Sequence, residues 1–191
     1  MLGLEREPYE VLLQVLHLAW QVTDSRLLDL CRLRLAQLLG ATAELAGADE
    51  ELLTRLGRWE SSEDFDPGER AALSYAEQYH YDHRRLSQEQ KDELAHHLPS
   101  GGTTGFVWAL HMNDAYLRVL SLLDVAPDSP SAPARSERLR PDAPALDPAR
   151  VSELPPVHRE LARVVVRQSL VDDFTSEVVR LHNANHQGCR Y

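Results

Sequence analysis

Cysteine is scarce in this chain: Cys31 and Cys189 are the two among 191 residues. So low a count excludes the disulfide framework of a small secreted domain, and any disulfide here would be catalytic or sensory. Aromatic residues are also few, at 6%. A core must then be built mainly from Leu, Val and Ala, which favours helices over sheets. Positive charge is in deficit, with 20 basic against 30 acidic side chains and a net charge of −10. Such a surface repels phosphate backbones, and no cationic run stands out, so neither nucleic acid nor an anionic membrane is an expected partner. Long apolar runs are missing too: none approaches the ~18 residues of a membrane span. The opening MLGLEREPYE is broken by charges and a proline, so no targeting segment is expected and a cytoplasmic protein is.

What is present is an apolar fraction of 43%, enough for a core, arranged almost everywhere with helical period. Pro8 predicts a first helix over 9–22, and Thr23-Asp24-Ser25 a cap before a long helix running to about residue 46. A shorter helix is expected from Ala48. Asp66-Pro67-Gly68-Glu69 and Ser87 to Gln90 read as capping boxes, opening helices near 67–80 and from 87. After Pro99-Ser100-Gly101-Gly102 a long helix is expected over 103–123. Residues 124–150 hold six of the eleven prolines and read as an extended linker. Helical pattern resumes at Pro155-Pro156 and again after Asp172-Asp173. The expected fold class is all-α, an antiparallel helical bundle.

The two ends of the chain resemble each other at one offset, 148 residues: Pro8 and Pro156, Leu13 and Leu161, Asp24 and Asp172, Arg32 and Arg180, Leu33 and Leu181, Ala36 and Ala184, Gly40 and Gly188. Asp29 matches Glu177, and Gln37 matches Asn185. The common order is proline, short helix, Asp cap, long helix, glycine, which reads as a duplicated helical unit. In the first copy Ala41 stands where the second has Cys189.

His182, His186 and Cys189 are spaced by four and three, so a helix puts them on one face. That stripe allows a zinc site. Cys189 alone allows a reactive thiolate favoured by Arg190 or a protonated His186, or a buried cysteine packed as a small hydrophobe. Cys31, inside LLDLCRLRLAQLL, reads as core. His80, His83, His96 and His97 read as solvated, and His111 with Asp114 as a structural pair on one helix face. Trp20, Trp59 and Trp108 read as core or interface anchors, and Glu51 as part of a solvated face.

LLDLCRLRLAQLLGATAELAG, DPGERAALSYAEQ and FVWALHMNDAYLRVLSLLDV together resemble the carboxymuconolactone decarboxylase and AhpD-like superfamily. The segment from Glu177 to Cys189 is similar to that family's active-site helix, in which an acid precedes a Cys-x-x-Cys by twelve residues. The resemblance implies residues 1–125 as a repeat without the cysteine pair, 126–150 as a linker, and 151–191 as the start of a second repeat. It implies a thiol–disulfide oxidoreductase or peroxidase with Cys189 as first thiol and Glu177 as proton relay, supported by His186, His182 and Tyr191. A second cysteine and a histidine would fall after Tyr191, so a longer native chain is expected. The resemblance further implies no cofactor, a thiol electron donor, and a homo-oligomer, trimeric or a larger ring. The alternatives are a decarboxylase-type lyase working by acid–base side chains, and a non-catalytic scaffold or metal-binding protein. Twelve residues span about 18 Å of unbroken helix, so Glu177 serves Cys189 only if the chain breaks near Gly188, a residue type that permits it, or if a neighbouring subunit or helix bridges them.

Overall fold

The computed structural model describes residues 6–122, 147–166 and 172–186. Among these residues there is no strand, and the helices pack together as an all-α bundle. They are α1 (Arg6–Gln21), α2 (Ser25–Leu39), α3 (Thr42–Leu45), α4 (Glu50–Leu56), α5 (Pro67–Asp82), α6 (Gln88–His97), α7 (Gly102–Leu122), α8 (Leu154–Val166) and α9 (Asp173–His186). Short 3-10 turns lie at Trp59–Ser61, His83–Arg85 and Pro148–Glu153.

The caps fix where these helices begin. The Asp24 carboxylate accepts from the amides of Arg26 and Leu27 at 2.8 and 3.1 Å. Both expected capping boxes form, Asp66 with Glu69 and Ser87 with Gln90. The long helix expected to reach residue 46 instead stops at Leu39. Gly40 caps it in the left-handed region, φ 66°, and its amide donates to the carbonyls of Ala36 and Gln37. Only glycine takes that conformation without crowding a Cβ, so a sequence with unbroken helical period still ends there.

Two apolar clusters make the core. In one, α2 packs on α5 and α7 around Leu33, Leu35, Leu73, Phe106 and Leu110. In the other, α1 packs on α7 and α8 through Val15, Leu16, Trp20, Met112 and Leu154. Full burial of a Leu side chain contributes ~1.5–3 kcal/mol relative to exposure, so these Leu-rich faces hold the bundle without many aromatics. A Cβ on Gly105 would sit 2.5 Å from the Val22 carbonyl oxygen. The glycine therefore lets α7 lie against the link between α1 and α2.

The matched segments keep their register in three dimensions. Moved by 148 residues, the first residues of α1 and α2, Arg6 and Ser25, become Leu154 and Asp173, the first residues of α8 and α9. Asp172 caps α9 through the Thr175 amide at 2.9 Å, as Asp24 caps α2 through Leu27. The equivalent helices α1 and α8 also pack on each other. Leu13 and its match Leu161 both lie against one cluster, and Leu16 and its match Val164 are both buried.

Most of the expected linker, 124–146, lies outside the described residues. Its end does not run free: the Asp147 amide donates to the Gln21 carbonyl at 3.2 Å, and residues 148–153 form a 3-10 turn.

Candidate functional site

The C-terminal helix carries the residues singled out by sequence. α9 presents Glu177 and His182 on exposed positions. The side chain of His186, together with Cys189 and Tyr191, lies outside the described residues, as do the Glu177–Cys189 separation and the histidine–cysteine stripe. Among the described residues no group of three or more His, Cys, Asp or Glu side chains is placed to hold a metal ion. Val178, Val179 and Leu181 are 47%, 53% and 44% exposed on α9. Their matches in α2, Leu30, Cys31 and Leu33, are 8%, 0% and 1% exposed, because α5 and α7 cover that face.

The N-terminal matched segment lies wholly within the described residues. After Gly40 the chain turns into α3, and Ala41, at the register of Cys189, is buried at 4% exposure. Arg32 joins the two acids on either side of the turn. Its Nε and Nη2 donate to Asp29 Oδ1 at 3.0 and 2.8 Å. Its Nη1 donates to Glu44 Oε2 at 2.9 Å and to the Glu44 carbonyl at 3.1 Å. Arg32 and Glu44 are each 1% exposed. The register position of Glu177 and the position three past that of Cys189 thus converge on one guanidinium. Arg180 is the match of Arg32. The turn breaks the straight path that would otherwise hold the acid and thiol positions about three helical turns apart.

No family model, curated protein or solved structure matches the chain. Function is therefore argued from these geometries, and two further clusters enter it that sequence patterns did not single out as sites.

One joins α5, α7 and α8. The Tyr79 hydroxyl lies 2.8 Å from His111 Nδ1. Burial and nearby Asp114 push the phenol up to about 12, so it keeps its proton and donates to the imidazole. Burial, then the neighbouring His158, depresses the His111 pKa, and burial depresses that of His158. The two rings are 6.0 Å apart, and the ring of Trp108 is 5.1 Å from that of His158. Asp114 does not face His111 as its partner. It accepts from His80 Nδ1 at 2.6 Å and Arg118 Nε at 2.8 Å. Burial works against the carboxylate, but the bonds from His80 and Arg118 outweigh it and hold Asp114 below its ordinary range. His80 was expected in solvent. It is half-buried instead, with its side chain 8% exposed, since α7 brings it an ion-pair partner 34 residues away.

The other is a cleft of about 420 Å³ at the start of α2, lined by Ser25, Arg26, Asp29, Leu30, Leu52, Arg55, Asp64, Phe65 and Glu69. It lies on the Asp29 side of the Arg32 bridge. Cys31 is fully buried, and burial followed by Glu77 raises its pKa far above the ordinary thiol range. It is core, as its pattern indicated. Trp20 and Trp59 are buried anchors, the latter donating to Glu77 at 2.8 Å.

Proposed function

We propose that the protein is a thiol oxidoreductase that reduces peroxides at Cys189, with Glu177 as its proton relay. One observation carries this reading. In the matched first copy, Gly40 reverses the chain so that positions 29 and 44 share Arg32, and the second copy keeps the glycine, the arginine and an acid as Gly188, Arg180 and Glu177. A like reversal at Gly188 would shorten the path between the Cys189 thiol and Glu177. The carboxylate takes the thiol proton. The thiolate attacks one peroxide oxygen, an S–O bond forms and the O–O bond breaks. The leaving alkoxide takes the proton from Glu177, and Cys189 is left as sulfenic acid. A thiol donor condenses with the sulfenic acid, releasing water and forming a mixed disulfide. A second donor thiol releases the donor disulfide and returns Cys189. His182, His186 and Tyr191 are assigned to this reaction as supporting groups, and His186 with Arg190 would favour the thiolate.

The experiment is steady-state turnover with hydrogen peroxide or an organic hydroperoxide and a dithiol donor. Cys189→Ser abolishes turnover, and Glu177→Gln slows it ~10²-fold or more, the scale of one proton-transfer group. Full turnover in Cys189→Ser ends the proposal. The reading includes a homo-oligomer, trimeric or larger, in which a second copy covers the exposed Val178, Val179 and Leu181. Light scattering that returns a monomer at all concentrations counts against that part.

The decarboxylase-type reading is favoured by a different observation, the neutral His111 hydrogen-bonded to Tyr79. Acid–base chemistry on a lactone at that pair survives Cys189→Ser and is lost in His111→Ala.

A further inference from the structure

We infer that the cleft between α2, α4 and the first turn of α5 binds a free amino acid with a large apolar side chain, its carboxylate on Arg55, its ammonium against Asp29 and Asp64, and its side chain over Leu30, Leu52 and Phe65. The cleft's volume of about 420 Å³ falls in the range of small-molecule sites.

The charges along its wall are unequally provided for. Arg26 pairs with Glu69. Asp29 holds Arg32. Arg55 is left with Asp64 at 4.0 Å, the outer limit of an ion pair, while Asp64 accepts the Ser62 hydroxyl at 2.9 Å. The Nε–H of Arg55 is shielded from water and meets no acceptor. A shielded donor without an acceptor costs about 1–3 kcal/mol, more when charged. A carboxylate delivered by a ligand removes that cost and can bind the guanidinium through two parallel bonds.

An anion alone does not suit the place. Glu69 is paired with Arg26 and Asp29 with Arg32, but Asp64 stands 4.0 Å from Arg55, so a bare carboxylate on Arg55 meets a charge of its own sign. A cation alone leaves Arg55 unmet. A zwitterion satisfies both. Leu30 and Phe65 keep 8% and 7% of their surface open, and Leu52 is half-buried, which gives the apolar arm a floor. This assignment is independent of thiol chemistry, since the cleft belongs to the copy that has Ala41 in place of the cysteine.

The test is titration calorimetry of the whole chain with L-phenylalanine. Saturable one-site binding is expected. Arg55→Ala and Arg55→Lys each weaken it by about tenfold or more, the value of one charge-assisted hydrogen bond. 3-Phenylpropionate, without the ammonium, and phenethylamine, without the carboxylate, each bind at least about tenfold more weakly. Leu52→Trp fills the cleft without changing a charge and removes binding, which keeps the test decisive if the Arg55 variants fold poorly. Absence of saturation up to about 10 mM, equal binding by Arg55→Lys and Leu52→Trp, or equal binding of 3-phenylpropionate overturns the inference.

Discussion

Arg32 is the residue that ties α2 to the turn after it. Its guanidinium is almost wholly out of water between Asp29 and Glu44. Removing one partner of such a pair leaves the other's charge buried with part of its compensation gone, at a cost of about 3–5 kcal/mol. Arg32→Ala and Glu44→Gln are therefore expected to lower the urea midpoint strongly. The double variant should recover part of the loss, because neither member of the pair is then buried without the other; chemical denaturation of all three checks this. The sequence made Arg32 visible as a matched position, but not as a bridge. Its bond to Asp29 is local in the helix, whereas its bond to Glu44 exists only because the chain turns at Gly40. His80 escaped for the same reason. Its partner Asp114 is on another helix, and periodicity within one segment says nothing of what packs across from it.

Helices whose starts were encoded locally were legible. Asp66, Ser87, Asp24 and Asp172 all cap where their spacing indicated. Ends were less legible, because a helix of sustained apolar period can be stopped by one glycine, and here Gly40 wins over the continuing pattern. Gly40→Ala is expected to cost about 1–2 kcal/mol, the penalty of a Cβ in the left-handed region, although nothing lies within 4 Å of that Cβ. A thermal melt compared with Gly40→Asn, a residue that tolerates this conformation, separates backbone strain from packing. Unchanged melting in Gly40→Ala would remove the basis for reading Gly188 as a break. Of the C-terminal pattern, Glu177 and His182 lie on α9, and the groups beyond His186 lie outside the described residues.

At the scale of the molecule, the junction of α5, α7 and α8 makes the fold sensitive to acid. His111 and His158 both have lowered pKa values in the folded state. As pH falls through about 6.5, the unfolded chain takes up protons that the folded chain resists. Stability is therefore complete above that value and declines below it. Asp114, held low by His80 and Arg118, adds a second loss only at lower pH, beneath the ordinary carboxylate value of about 3.9. Urea midpoints measured from pH 7.5 to pH 5 are expected to fall, and His111→Gln with His158→Gln to flatten the curve. A flat wild-type profile would contradict the half-buried placement of these rings.

The pairing of α1 with α8 has a consequence for how the chain is made. Leu154 follows Arg6 by 148 residues. On a ribosome that delivers the N-terminal residues first, the face of α1 that carries Leu12, Leu13 and Leu16 emerges long before Val157 and Leu161 exist to meet it. Contacts so distant along the chain form late and slowly. During that wait the leucines of α1 are open to chaperones and to other nascent copies. Slowing translation between Leu122 and Asp147 should therefore lower soluble yield, and a holdase should restore it.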